Sequence, residues 1–222
     1  MSAIEAVLCD LDGTLVDSEP YHLEAWNTIL SREGHTPPSG WSEDCIGLPD
    51  SHTCEKVWNA YPDLRKFPDL LQMKQKIFRG FIARHGSSLV FPGVTEKLAE
   101  ALALGIKLAI GTNSIMENAN ATLTSAGLAK FFPVVVSIDT VANGKPFPDI
   151  FAAAAERLGV PPERCAVIDD SVAGLQSGKT AGCLALGVAS TWPAEKLTPA
   201  ERVFRNVAAA LAWVIAKGRV IK

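Results

Sequence analysis

The chain has 222 residues, of which 48% are hydrophobic and 20% charged, with a formal net charge of −3. This length and hydrophobic content suit one large domain, or one domain with a sizeable insertion. The charges are balanced and form no basic stripe, which excludes nucleic acid as the expected ligand, so an anionic ligand must be held by a few placed cations. No stretch reaches the roughly 18 apolar residues of a membrane span, and the N-terminus has no basic region followed by a long apolar run. These features predict a soluble cytoplasmic protein without a membrane or nucleic-acid partner.

The cysteines are odd in number and form no C-x-x-C pair. They are Cys9, Cys45, Cys54, Cys165 and Cys183. This pattern favours reduced thiols in the core over a redox or metal-binding role.

The first predicted element is a strand at residues 4–9, an apolar run that stops at Asp10. Such a run is typical of a buried strand in a parallel sheet. The segment that follows contains helical patterns at 22–32, 52–61 and 70–84, separated by proline-rich or glycine-rich joints, and no convincing buried strand. We therefore expect a small helical cap, inserted after the first strand and lying over the C-terminal edge of the sheet.

Strands and helices alternate in the remainder of the chain. Apolar runs at 106–111, 134–138, 165–168 and 183–188 predict strands, and helical patterns cover 94–103, 118–126, 149–158, 175–181 and 206–217. This alternation predicts right-handed βαβ units and hence an α/β fold with a doubly wound parallel sheet. The predicted catalytic core comprises residues 1–16 and 87–222, and the predicted cap comprises residues 17–86.

Polar side chains follow four of these segments at the edge of the sheet where ligands of doubly wound folds bind. They are Asp10 and Asp12, then Thr112 and Asn113, then Lys145, and finally Asp169 and Asp170. Carboxylates converging on one point would repel one another unless a cation joined them. The set therefore predicts a Mg²⁺ site with oxygen ligands beside a bound phosphate group.

The D-x-D spacing separates two chemical roles. We expect Asp10 to attack phosphorus as a carboxylate nucleophile and to form an aspartyl-phosphate. Asp12 is then the general acid and base that protonates the leaving oxygen and later deprotonates water. Thr112 and Asn113 are expected to donate hydrogen bonds to the phosphate, and Lys145 to neutralise it and keep Asp10 ionised.

Four motifs resemble those of the haloacid dehalogenase-like hydrolases, in the same order and with similar spacing. They are DLDGT at 10–14, TNS at 112–114, GKPFPD at 144–149 and IDDSVAG at 168–174. The resemblance extends over essentially the whole chain. The helical insertion after the first strand resembles the subgroup that contains β-phosphoglucomutase and many sugar-phosphate phosphatases.

The resemblance implies a role for each matching residue. Asp10 is the nucleophile and a metal ligand, and Asp12 is the acid/base and binds the metal through its backbone carbonyl. Thr112 and Lys145 take the phosphate-binding positions. Asp169 and Asp170 are the acidic metal-binding pair, in which Asp170 binds directly and Asp169 binds directly or through water. Many relatives are monomers, which implies a monomer here.

Plainer structural roles remain open for several of these residues. The D-x-D-G segment could be a turn, Thr112 could cap the following helix, Lys145 could be a solvated loop residue, and Asp169 could be a helix N-cap.

The cap offers candidate substrate contacts at Glu19, His22, Gly47 and Lys74. Glu19 and His22 could instead be a satisfied helix-start carboxylate and a partly buried histidine. Lys74, together with Lys76 and Arg79, could form a solvated helix face.

The predicted function is a Mg²⁺-dependent phosphatase for a small phosphorylated metabolite, and DDSVAGLQSG at 169–178 looks like the sugar-phosphate phosphatase branch, including a 6-phosphogluconate phosphatase. A phosphomutase of the β-phosphoglucomutase type is the main alternative. It is disfavoured for two reasons. Those mutases carry an arginine in the loop that here runs from Gly47 to Ser51 without one, and they carry a valine where this chain has Thr14. A non-catalytic phosphate-binding module is disfavoured because Asp10, Asp12 and Lys145 are all present. The exact substrate is not determined by the sequence.

Overall fold

The computed structural model describes residues 3–38, 40–41 and 49–218. The strands are β1 (Ala6–Cys9), β2 (Lys107–Thr112), β3 (Val134–Ser137), β4 (Cys165–Asp169), β5 (Leu184–Val188) and β6 (Arg202–Phe204). The helices of the described ranges are α1 (Glu19–Arg32), α2 (Asp50–Ala60), α3 (Leu70–His85), α4 (Val94–Ala103), α5 (Met116–Ser125), α6 (Asp149–Leu158), α7 (Val172–Thr180) and α8 (Val207–Gly218). Short 3₁₀ turns join several of them.

The strands form one parallel sheet in the order β3-β2-β1-β4-β5-β6. From β1 the chain continues to β2 and β3, which lie on one side of β1. It then crosses over to β4, β5 and β6, which lie on the other side. Ligands of such sheets bind where the winding direction reverses, beyond the carboxyl ends of the strands. Cys9 pairs with Ile110 of β2 and with Ile168 of β4, so Asp10 emerges at this reversal point.

The side chains of β1 alternate between two hydrophobic layers, as a strand buried on both faces requires. Val7 and Cys9 join the layer that contains the apolar residues of α4 and α8. Ala6 and Leu8 join the opposite layer, which contains the apolar residues of α6. The predicted fold class, a doubly wound parallel sheet with inserted helices, is confirmed.

Several predicted element ends are off by a few residues, and one strand is missing from the prediction. Thr112 and Asp169 are the last residues of β2 and β4 and do not follow them. Strand β6 has three residues, all partly or fully exposed. It lies at the edge of the sheet and lacks the buried apolar run by which the inner strands can be recognised.

Helices α1 to α3 lie between β1 and β2 in the chain and share a hydrophobic cluster of their own. This cluster contains Trp26, Leu30, Val57, Leu64 and Leu70. On its other side, α3 packs on the core, where Phe78 and Ile82 join the β1 layer. The boundaries proposed for the cap, residues 17 and 86, stay a prediction.

Four cysteines are buried and free: Cys9, Cys54, Cys165 and Cys183. Cys45 lies outside the described residues. Across the ranges that the structure covers, no helix has the length and apolar character needed to cross a membrane.

Candidate active site

A cavity opens at the carboxyl ends of β1, β2 and β4, beneath α1 and the start of α2. It is lined by Asp10, Asp12, Glu19, His22, Leu23, Trp26, Asp50, Thr53, Thr112, Asn113, Ser114, Lys145, Asp170 and Ser171. The structure therefore brings most of the sequence-predicted residues to one place, with the sheet edge on one side and the cap helices on the other.

Lys145 is the cation at the sheet side of this cavity. Its Nζ donates hydrogen bonds to Asp10 Oδ1 at 2.5 Å and to Asp169 Oδ2 at 2.8 Å. Only 6% of Lys145 is exposed, so the alternative of a solvated loop lysine is wrong. Its loop is fixed by Asn113, whose Oδ1 accepts from the Lys145 backbone N–H at 2.8 Å. A Cβ on Gly144 would lie 2.7 Å from that same Oδ1, which explains the glycine.

Asp10 and Asp170 share a buried, strongly acidic environment. Burial raises the pKa of Asp10 to about 7, with Asp169 adding to the shift and Lys145 opposing it. Burial and the neighbouring charges of Asp10 and Asp169 raise the pKa of Asp170 to about 8, although hydrogen bonds to its carboxylate oppose the change. One lysine therefore does not neutralise this group of carboxylates.

The three carboxylates fit a divalent cation. Asp10, Asp169 and Asp170 each offer one oxygen, and these oxygens lie within 4.8 Å of one another. All three residues are buried, and hard oxygen donors are the ligands that Mg²⁺ and similar ions prefer. The raised pKa values of Asp10 and Asp170 show that more positive charge is needed to hold both carboxylates ionised.

The carboxylate of Asp170 is positioned by the segment that follows β1. Thr14 Oγ1 donates to Asp170 Oδ1 at 2.8 Å. Gly13 has φ +79°, and a Cβ there would lie 2.4 Å from Asp170 Oδ2. A glycine is therefore required both by the backbone conformation and by the close approach of the Asp170 carboxylate.

Asp169 is held by the start of α7. Its Oδ1 accepts from the backbone N–H of Ser171 at 2.9 Å and from Ser171 Oγ at 2.7 Å. The N-cap of α7 is Ser171 itself, whose Oγ accepts from the Gly174 backbone N–H at 3.0 Å. The alternative that Asp169 caps this helix is wrong.

Asp12 is oriented by two serines. Ser18 Oγ donates to its Oδ1 at 2.6 Å, and Ser114 Oγ donates to its Oδ2 at 2.7 Å. His22 Nε2 lies 3.7 Å from the same Oδ1. Burial alone would raise the pKa of Asp12, but these partners outweigh it, so its pKa lies below the usual value. Metal binding through the backbone carbonyl of Asp12 stays a prediction.

Thr112 ends β2 with its hydroxyl at the cavity. Its Oγ1 accepts from the backbone N–H of Ser114 at 3.0 Å. Helix α5 begins later, at Met116, and its N-cap residue is Ile115, without a side-chain capping bond. The alternative that Thr112 caps α5 is wrong.

The cap side of the cavity carries a chain of polar contacts. Lys74 is fully buried (0% exposed) and its Nζ donates to Asp50 Oδ1. The same Nζ lies 2.6 Å from His22 Nδ1, and the His22 ring stacks on Phe78 with 3.8 Å between centroids. Lys74 is thus not part of a solvated helix face. Glu19 lines the cavity nearby, and burial raises its pKa to about 7, against the charge of His22.

The protonation of His22 is tied to this contact. Burial and Lys74 lower its pKa, but Asp12 and Asp50 outweigh them and raise it to about 9. Because the ammonium of Lys74 can only donate, the 2.6 Å contact is a hydrogen bond only when Nδ1 of His22 carries no proton. In that state the ring is neutral and its proton is on Nε2, which faces Asp12. The pKa of about 9 favours the protonated ring at neutral pH, in which Nδ1–H and the Lys74 ammonium repel each other, so the contact and the pKa describe different protonation states of His22.

The other two basic residues of this helix behave differently from Lys74. Lys76 is exposed, and Arg79 donates to Asn118 Oδ1 at 2.8 Å and pairs with Glu117 at 3.2 Å. The predicted substrate residue Gly47 lies outside the described residues.

The family model of the haloacid dehalogenase-like hydrolases matches residues 4–182. The chain belongs to this family. The prediction of the family and of a hydrolytic enzyme is thereby confirmed.

Named relatives of this hydrolase cover most of its length. It is 32% identical over 183 residues to a phosphorylated carbohydrates phosphatase of Thermotoga maritima, covering 81% of this chain and 82% of the relative. It is 30% identical over 196 residues to the β-phosphoglucomutase of Bacillus subtilis, covering 86% and 85%. The crystal structure of a CbbY mutant from Rhodobacter sphaeroides in complex with xylulose-(1,5)-bisphosphate is similar with a TM-score of 0.80 and 27% identity, covering 92% and 95%.

Sequence reasoning missed the residues that orient the predicted groups. Ser18 and Ser114 hold Asp12, Thr14 holds Asp170, and Asp50 pairs with Lys74. Ser114 and Thr14 lie inside the recognised motifs, which is a usable signal. Asp50 carried no signal in the sequence, because its partner is 24 residues away on another helix.

The raised pKa values predict how stability depends on pH without metal. In the folded chain the pKa is about 7 for Asp10 and Glu19 and about 8 for Asp170. In the unfolded chain the pKa of each of these carboxyl groups is about 4. The folded chain therefore binds more protons, and the free energy of unfolding falls as the pH rises between those values. Urea denaturation in EDTA should show a loss of at least about 1 kcal/mol between pH 5 and pH 8.

Two controls accompany this measurement. Excess Mg²⁺ should flatten the slope, because the cation holds Asp10 and Asp170 ionised in the folded chain. The Asp170→Asn variant should have a shallower slope in EDTA. A stability that stays constant or rises over this range in EDTA would contradict the electrostatics described for the site.

Proposed function

We propose that this hydrolase is a Mg²⁺-dependent phosphatase that cleaves a small phosphorylated metabolite, a sugar phosphate, through a phosphoryl group carried on Asp10. The observation that supports it most is the pair formed by Asp10 and Lys145 at the carboxyl end of β1, with Asp12 oriented separately by two serines. This arrangement offers a nucleophile and a proton carrier as distinct groups in one cavity.

Asp10 is proposed to attack phosphorus with one carboxylate oxygen. The bond from phosphorus to the ester oxygen breaks while the bond from phosphorus to Asp10 forms, which divides hydrolysis into two displacements. Lys145, 2.5 Å from Asp10 Oδ1, keeps the carboxylate ionised and adds positive charge beside the phosphate. Thr112 lines the same cavity, and its hydroxyl is proposed to supply a neutral hydrogen-bond donor.

Asp12 is proposed to move the proton in both steps. It gives a proton to the departing ester oxygen and later takes one from the water that releases phosphate from Asp10. Its pKa lies below the usual value in the free site. The dianionic phosphate of the substrate raises that pKa, because like charge disfavours the carboxylate. Ser18 and Ser114 hold the two oxygens in place during both steps.

Asp10, Asp169 and Asp170 are the residues proposed to hold Mg²⁺, with the backbone carbonyl of Asp12 as the further ligand that the family resemblance implies. When bound, the ion supplies charge that neutralises the phosphate oxygens and the converging carboxylates. The phosphatase from Thermotoga maritima, named for phosphorylated carbohydrates, supports a sugar phosphate as the substrate.

The proposed roles of Asp10 and Asp12 predict different effects of their amide variants. Asp10→Asn should abolish Mg²⁺-dependent hydrolysis of every ester, because the nucleophile is lost. Asp12→Asn should reduce kcat for a sugar phosphate by about 10²- to 10⁴-fold, and less for p-nitrophenyl phosphate, whose leaving group needs no proton. Released phosphate measured with both substrates checks this.

The control for this comparison is Asp63→Asn. Asp63 is an exposed carboxylate on the cap side of the chain and pairs with His35 at 3.0 Å, away from the cavity. This variant should keep the wild-type rates. Full turnover of a sugar phosphate by Asp12→Asn would refute the proton-carrier role.

The alternative of a phosphomutase is supported by the Bacillus subtilis relative, and it would use the same phosphoryl group on Asp10. The two functions differ in what accepts that group, water or a sugar hydroxyl. Incubation with β-glucose 1-phosphate and a trace of glucose 1,6-bisphosphate separates them. The phosphatase proposal predicts that free phosphate forms faster than glucose 6-phosphate, and the reverse order would establish the mutase.

A further inference from the structure

The cap side of the cavity carries two carboxylates. Asp50 and Glu19 line it from the cap side, together with Thr53 and His22. Lys145, the lysine that lines the cavity, lies on the sheet side, where it pairs with Asp10 and Asp169. Among the described lining residues, the cap side therefore contributes no lysine or arginine to the cavity.

The cap lysine does not offset this acidity toward a ligand. Lys74 is fully buried and is not among the residues that line the cavity. Its ammonium donates to Asp50 Oδ1 and lies over the rings of Trp26 and Phe78, 6.0 and 5.3 Å from their centroids. The charge of Lys74 is thus balanced by Asp50 within the protein, and the pairing holds the pKa of Asp50 well below its usual range despite burial.

No other cation compensates among the described residues that line the cavity. Apart from Lys145, the one basic side chain there is His22, which is already in contact with Asp12 and Asp50. A second anionic group on the cap side of a substrate would therefore meet carboxylates and no unpaired cation, which is unfavourable in a partly buried site.

The cap side of the cavity suits hydroxyl groups. The carboxylates of Asp50 and Glu19 accept hydrogen bonds from O–H donors, and Thr53 can donate or accept. Trp26 and Leu23 add apolar surface beside them, against which the C–H faces of a polyhydroxylated compound can pack.

We propose that Asp50 and Glu19 determine the substrate class of this site: they select monophosphate esters of neutral, polyhydroxylated compounds and disfavour esters with a second anionic group at the far end. Asp50 also prevents Lys74 from binding such an anion. This inference rests on the proposed phosphatase activity.

Two esters that differ only at the far end test the proposal. Glucitol 6-phosphate and 6-phosphogluconate have the same chain and the same phosphate, but the first ends in a hydroxymethyl group and the second in a carboxylate. We expect kcat/KM to be at least about tenfold higher for glucitol 6-phosphate. If turnover of either ester is too slow to measure, the ratio is taken from their inhibition constants against hydrolysis of p-nitrophenyl phosphate.

Substitutions on the two sides of the ion pair should shift this ratio in opposite directions. Asp50→Asn frees the Lys74 charge and should lower the preference for the neutral ester about tenfold, whereas Lys74→Met leaves Asp50 unbalanced and should raise it. Because either change leaves a charge without its partner and can destabilise the fold, Glu19→Gln is the second test. It leaves the ion pair intact and should lower the preference about threefold.

Asp63→Asn, whose carboxylate lies on the cap side away from the cavity, is the matched control and should leave the ratio unchanged. A wild-type ratio near one, a preference for 6-phosphogluconate, or a ratio unaltered in folded Asp50→Asn and Glu19→Gln would overturn the inference. Loss of the proposed function itself is distinguishable, because then p-nitrophenyl phosphate would show no hydrolysis that depends on Mg²⁺ and Asp10.

Discussion

The ammonium of Lys145 lies between the carboxylates of Asp10 and Asp169, 2.5 and 2.8 Å away, in a position that is almost closed to solvent. These carboxylates come from β1 and β4, which are neighbours only because the sheet reverses its winding direction there. Removing the lysine would leave two buried carboxylates without their cation, a loss of about 3–5 kcal/mol for buried pairs of this kind. The lysine thus links the topology of the sheet to the charge state of the proposed nucleophile. The hydrogen bond from the Lys145 backbone N–H to Asn113 Oδ1 helps to hold the lysine in this position.

The cavity combines two electrostatic environments that have different consequences. At the sheet side, three carboxylates and one lysine leave an excess of negative charge, which fits a divalent cation and, with it, a phosphate dianion. At the cap side, Asp50 balances a buried lysine and leaves no free cation toward the cavity among the described residues that line it. Asp12 lies between these regions, held by serines from both. The difference between the two sides argues against a substrate with a second anionic group. One such ester is 6-phosphogluconate, the substrate of an enzyme in the branch that the motif after β4 resembles.

Much of the fold and of the sheet side of the site could be predicted, because both depend on local patterns. Buried parallel strands are apolar runs with polar residues at their carboxyl ends, and Asp10, Thr112 and Asp169 stand at such ends. The cap side could not be predicted in this way. The partners of Lys74 are 24 and 52 residues away, and helical periodicity does not reveal whether a lysine faces solvent or a carboxylate on another helix. Strand β6 was missed for a related reason, since a three-residue edge strand has no apolar run.

The account depends most directly on Asp10 as the carrier of the phosphoryl group. Turnover of a sugar phosphate with Mg²⁺ can be stopped by acid and the protein reduced with borohydride, which converts a phosphorylated aspartate to homoserine. Peptide mapping by mass spectrometry should then find homoserine at position 10 in the wild type, and none in protein that was not given substrate or in Asp10→Asn. Modification of a different residue, or steady turnover with position 10 unmodified under conditions that trap the phosphorylated form of a known aspartyl-phosphate enzyme, would contradict the proposed mechanism.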